Sequence, residues 1–243
     1  MAIALKLLPA ILVIAWLYWT LTAHRRTARQ LRAKSEPLGD WRLMETAQRF
    51  AQTLGSGPFE VRIFELEQPN ALALSTGEIY LSSGLYKAYL GGKAEREEAA
   101  AVIAHEIGHV ALGHAQRRIE TSRAQIAVFA VLGFLIGRAL FGWWALLASV
   151  GLAAVNGRAA QRDEFEADAF AAQLMARAGY DPRATITMLE KVRDWGGGAS
   201  DIPAPMRWFT THPPVEERIA WLEQVIAAGP ATPLGAPEES RAL

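Results

Sequence analysis

The chain reads as an α+β protein, mostly helical, with a small edge sheet and an apolar N-terminal segment ahead of the folded domain. Three observations predict this. Leu7 to Ala23 is apolar apart from Thr20 and Thr22; alternating apolar runs broken by turn residues are confined to residues 59–81; and apolar residues at helical spacing fill most of the chain beyond residue 81.

With the residues before it, Leu7–Ala23 reaches the roughly 20 apolar residues that span a bilayer. Only Lys6 precedes the run, whereas His24, Arg25, Arg26, Arg29, Arg32 and Lys34 come after it. That asymmetry favours an uncleaved transmembrane anchor over 1–23, a basic linker over 24–39 and a cytoplasmic domain beyond it. The periplasmic side is the alternative for the domain, and a secretory leader or a buried helix is the alternative for the segment.

Asp40 to Leu54 places Leu43, Ala47, Phe50, Ala51 and Leu54 on one helical stripe, with Gly55 as its stop. Phe59, Val61 and Ile63 then alternate, and Ala71–Leu74 and Glu78–Leu81 flank Ser75, Thr76 and Gly77, which predicts a small sheet ending in a hairpin. Ser83 opens a short helix to Leu90; Gly91 and Gly92 end it, and a long helix starts at Ala94. Ile126 to Val155 is apolar except for Arg138. It falls short of the roughly 40 residues that two full spans need, and predicts a short helical hairpin broken near Gly137–Gly142. Further helices are expected over Ala159–Ala178, from Asp181–Pro182 to Trp195, and from Pro213–Pro214 to Ile226. The domain thus covers 40–227, leaving a disordered tail over 228–243.

Lys and Arg equal Asp and Glu at 25 each, so there is no basic footprint for a nucleic-acid partner. The absence of cysteine removes disulfides, thiolate metal ligands, a catalytic thiol and a lipidated cysteine. Nothing in the sequence sets an oligomeric state.

The chemistry lies in His105-Glu106-Ile107-Gly108-His109. Histidines four apart on a helix are separated by only about 40° around its axis, so both rings can reach one metal ion. Glu106, one step round, can take a proton from water activated by that ion. This is the pattern of a zinc hydrolase, and it needs a third protein ligand. His24 adjoins the anchor. His114 lies about 180° round from His105 if the helix continues, and could share the ion only if the helix breaks, so it reads as a structural or surface histidine. His212 and the carboxylates remain. Glu164 and Asp168 fall on one helical face, where one could bind metal and the other hold a ligand's free ring N–H; the competing reading is a solvated acidic face shared with Asp163 and Glu166.

HEIGH followed by DEFEADAF and THPPVEERI resembles the zinc metallopeptidase family of the bacterial heat-shock membrane protease HtpX and the CAAX prenyl protease, which pairs HExxH with a later ExxxD. The resemblance runs from Asp40 to Ile226. It implies a zincin-like metalloprotease domain in which one zinc ion is held by His105, His109 and Glu164. Asp168 and Arg218 would support the ligands, Glu106 would act as general base, and His212, before Pro213, would stabilise the oxyanion. Asn70 and Ala71 match the family's Asn-Ala ahead of the edge strand on which an extended substrate can pair. The implied role is a membrane-anchored endopeptidase of the bacterial inner membrane, acting on polypeptides in protein quality control. A zinc-stabilised chaperone or adaptor that binds extended chains without cutting them is the alternative. The chain departs from multi-span members by its short apolar hairpin.

Overall fold

The structure is a computed structural model and describes residues 26, 28–136, 138–197 and 213–229. The expected anchor over 1–23, His24, the loop over 199–211, His212 and most of the tail lie outside the described residues. Two compact units divide the chain, 1–36 and 37–243. In the first, residues 28–33 form helix α1; the short strand β1 (Ser35–Pro37) crosses the boundary.

The second unit opens with α2 (Trp41–Leu54). The Asp40 carboxylate accepts from the Arg42 and Leu43 backbone N–H groups at 2.9 and 3.0 Å, satisfying donors that a helix start otherwise leaves unpaired. Its inner stripe buries Leu43, Ala47, Phe50 and Ala51. Strands β2 (Val61–Phe64), β3 (Ala71–Ala73) and β4 (Ile79–Ser82) come next. The expected hairpin joins β3 to β4 antiparallel, Ala71 opposite Leu81. In addition β4 runs parallel to β2, with Val61 opposite Ile79, a long-range pairing that local alternation does not encode. This leaves β3 at the sheet edge, packed against the long helix that carries the histidines.

After α3 (Ser83–Leu90) comes that helix, α4 (Arg96–Ala111). Glu95 and Glu98 form a reciprocal cap at its start, each side chain meeting the other's backbone N–H. Ile103, Ala104 and Ile107 are completely buried in a core with Phe50, Ile79, Leu81 and Leu174. Each large apolar side chain there contributes about 1.5–3 kcal/mol, which offsets the cost of the charged groups this fold also buries. Gly113, at φ 68°, then turns the chain sharply. The next helix, α5 (His114–Ile136), starts directly after it.

One correction concerns the helix carrying the acidic motif. A separate helix over 159–178 is expected from the sequence, but α6 runs unbroken from Arg138 to Arg177. Nothing between Val155 and Ala159 breaks helical geometry, since Gly157 costs only about 1 kcal/mol in a helix interior. Where α5 and α6 meet, Gln125 and Asn156 exchange amide hydrogen bonds of 3.0 and 3.3 Å, so the chain leaves and returns at one place. Among the described residues, no helix is long and apolar enough to cross a membrane.

Gly108 sets the distance between α4 and α6. A Cβ there would lie 3.2 Å from the Ala167 Cα and carbonyl oxygen and 3.3 Å from the Phe170 ring, closer than ordinary van der Waals contact. Glycine inside the HExxH motif lets the α6 backbone come close enough for short carboxylates to reach the histidines. Gly179, at φ 82°, ends the turn after α6. Instead of one helix to Trp195, α7 (Ala184–Val192) is followed by a π-turn over Arg193–Gly197. Helix α8 (Val215–Ala228) packs on α6 and α7 through Leu222, Ile186, Leu189 and Ala172.

Candidate metal centre

Two histidines from α4 and one carboxylate from α6 converge. His105 Nε2 and His109 Nε2 lie 3.1 Å apart, with Glu164 Oε2 3.5 Å from the first and Oε1 3.5 Å from the second. Ligand atoms sharing a tetrahedral zinc ion with bonds of about 2.0–2.2 Å stand roughly 3.3–3.6 Å apart. The donor set therefore fits that ion closely. Two imidazoles with one carboxylate are also a hydrolytic zinc set, leaving room for water or substrate.

Charge points the same way. Glu106, Glu164 and Asp168 are all buried, at 7, 1 and 3% exposure; the Arg218 guanidinium is set among them, 3.7 Å from Glu164, and Arg118 reaches Glu164 at 3.9 Å. Formally, three carboxylates against two guanidiniums leave a net negative charge, which favours a cation there. The histidines respond to this field in opposite ways. Burial pushes His105 down, but hydrogen bonds to Asp168 and Glu164 more than reverse it, raising its pKa to about 10. Burial and the neighbouring His105 charge lower His109 to about 2.

Asp168 sits behind His105, its Oδ1 3.0 Å from Nδ1. Since a carboxylate only accepts, the proton lies on Nδ1 and the Nε2 lone pair is left to a metal. Arg218 from α8 clamps Asp168 in bidentate fashion, Nε to Oδ2 at 2.7 Å and the terminal amino group to Oδ1 at 2.6 Å. Burial alone would raise the Asp168 carboxyl, but the Arg218 charge and hydrogen bonds hold it below the usual range. The same carboxylates, Glu106 among them, hold Arg218 above its ordinary value despite burial. The acidic face of α6 is thus interior, not solvated.

His114, expected to be a structural or surface histidine, is buried. Because the helix breaks at Gly113, the ring returns to the site: it is 1% exposed, and its Nδ1 lies 2.7 Å from His109 Nδ1. Its Nε2 is 3.2 Å from Glu166 Oε2. Arg117 binds Asp163 and Glu166 at 3.3 and 3.1 Å, and Arg118 binds Asp163 at 3.1 Å. The available signal was Gly113 itself, a helix stop placed directly before a histidine. At the edge strand, Asn70 Oδ1 accepts the Ala71 N–H at 2.8 Å, and the Asn70 N–H donates to Ser82 Oγ at 2.8 Å. These bonds fix the entry to β3.

With the geometry in place, the sequence profile of Peptidase family M48 matches residues 40–226. The chain belongs to Peptidase family M48. It is a metalloprotease. It is 26% identical over 207 residues to Metalloprotease YcaL of Escherichia coli, covering 85% of this chain and 77% of that protein. It is 30% identical over 235 residues to a Protease HtpX homolog of Nitrosomonas eutropha, covering 82 and 76%. The crystal structure of Ste24p from S. mikatae shares the fold, with a TM-score of 0.63 at 16% identity, over 91% of this chain and 64% of that one. The expected kinship with HtpX is therefore shown.

Proposed function

We propose that this M48 chain is a membrane-anchored, zinc-dependent endopeptidase that cleaves extended or misassembled polypeptides in protein quality control. The observation that carries the reading is the convergence of His105 Nε2, His109 Nε2 and a Glu164 carboxylate oxygen at 3.1–3.5 Å, and these residues would hold one zinc ion. When bound, zinc supplies a Lewis acid that acidifies water and polarises a peptide carbonyl. Glu106, held on α4 one step from His105, takes the proton from the attacking water and returns it to the leaving amine. Asp168 and Arg218 keep His105 in the tautomer that presents Nε2. His212 is assigned the oxyanion on its sequence match alone.

An extended substrate pairs with β3, whose edge position and Asn70 anchor suit strand addition beside α4. The lipid bilayer is the second partner, through the anchor at 1–23, with the domain on the cytoplasmic side by the placement of Arg25, Arg26, Arg29, Arg32 and Lys34. The apolar hairpin over 126–155 has its base closed by the Gln125–Asn156 amide pair. It is shorter than the roughly 40 residues of two full spans, which favours a hairpin that lies against the domain or dips partly into the bilayer.

The test is metal analysis of the purified full chain together with casein digestion. One zinc per chain is expected, with cleavage lost on chelation and restored by zinc. A zinc-free protein, or cleavage indifferent to chelator, contradicts the proposal; zinc with casein bound but uncut supports the adaptor alternative.

A further inference from the structure

We propose that His114 is a positioning residue that sets the tautomer of His109, through a two-imidazole relay ending on Glu166. The inference rests on the zinc reading above and extends it to a residue outside the HExxH and ExxxD motifs.

The relay follows from which atoms can donate. A Glu166 carboxylate only accepts, so the contact of 3.2 Å from Oε2 to His114 Nε2 places a proton on that nitrogen. In a neutral ring the other nitrogen then carries a lone pair. His114 Nδ1 faces His109 Nδ1 at 2.7 Å, a separation that requires one donor and one acceptor. His114 being the acceptor, His109 Nδ1 is the donor. The Nε2 of His109 is thereby left unprotonated, 3.1 Å from His105 Nε2 and 3.5 Å from Glu164, in the state a metal ligand needs. The ring packing agrees, since His109 and His114 meet edge to face with centroids 4.9 Å apart at 73°. Orientation and tautomer are fixed together.

The far end of the relay is itself held. Arg117 spans Asp163 and Glu166, and Arg118 binds Asp163. Those guanidiniums also decide against another use of the cluster. His114, Asp163 and Glu166 present ligand atoms close enough to share an ion, but two arginines already neutralise the carboxylates, and His114 has turned Nδ1 toward His109.

The experiment compares zinc affinity, by competition with a chromophoric chelator, and the cobalt(II) absorption spectrum in full-length wild type, His114→Phe, His114→Asn and Glu166→Leu. Phenylalanine keeps the ring volume without an acceptor. Asparagine can place an amide oxygen near the Nδ1 position. Loss of a ligand's hydrogen-bond partner costs about 10–100-fold in metal affinity. His114→Phe should fall in that range with a shifted cobalt spectrum, and His114→Asn should stay within about threefold of wild type. Glu166→Leu, a change at a half-buried side chain, should weaken zinc several-fold and keeps the test decisive if the phenylalanine variant does not fold. Equal affinity in all four proteins overturns the relay. Equal losses in the Phe and Asn variants also overturn it, since they mark a packing role, as do two zinc ions per wild-type chain, which would make His114 a ligand. Absence of zinc from wild type sinks the zinc reading as well, whereas normal wild-type binding with silent variants sinks this inference alone.

Discussion

His105 and His109 occupy one face of one helix, one turn apart, yet they are supported in different ways. Behind His105 stands a carboxylate, Asp168, locked by the buried Arg218. Behind His109 stands a second imidazole, His114, whose carboxylate is one step further out and shared with arginines exposed at the domain surface. The first support is short, charged and buried; the second is longer and neutral where it touches the ligand. Both deliver the same result, a proton on Nδ1 and a lone pair on Nε2. A metal site needs the tautomer, and the fold reaches it by whichever acceptor its topology brings near.

The same substitution should therefore act differently on the two sides. Asp168→Asn removes the charge facing Arg218 as well as the firm acceptor for His105. Removing one partner of a buried ion pair costs about 3–5 kcal/mol, and loss of the ligand's support costs about 10–100-fold in zinc affinity. Thermal melts and chelator competition should show both losses, whereas the asparagine change at His114 leaves both nearly intact. Matching losses on the two sides would erase the distinction.

How much of this was legible in the sequence follows the same division. HExxH and ExxxD are local patterns, and helical spacing alone puts His105 with His109 and Glu164 with Asp168. The helices carrying them, and a hairpin at β3–β4, follow from periodicity and turn residues. The parallel pairing of β2 with β4 was not legible, being a contact between segments with no common local signal. Nor was the place of His114, because a position half a turn away on a continuous helix becomes a neighbour only once Gly113 adopts a left-handed conformation. Nor was the merging of the hairpin's returning arm with the acidic helix into α6, because the change from apolar to charged residues after Val155 marks a change of surroundings and not a break in helical geometry.

A smaller effect lies at the other end of α4, away from either support, and provides a baseline. Burial of Glu98 opposes its ionisation, but hydrogen bonds from Lys191, the Glu95 backbone and Thr187 outweigh it and lower its pKa. A carboxylate with a folded value below its unfolded one of about 4.3 adds stability that is complete above that pH and is lost as pH falls through the folded value. Glu98→Gln should lower the melting temperature modestly at neutral pH and flatten the acid side of the stability profile below about pH 4.5. Zinc affinity should hold within about twofold, against the 10–100-fold expected at the His105 support. An unchanged acid limb would remove Glu98 from the account of this helix.

The central claim is that the two supported histidines and Glu164 hold a metal that Glu106 serves as base without binding it. Glu106→Gln in the purified full-length protein tests this directly, with zinc content and casein cleavage measured on one preparation. The account predicts one zinc per chain and cleavage reduced about 10²–10⁴-fold, the range of a lost general base. Cleavage at the wild-type rate, or zinc lost along with Glu106, would contradict it.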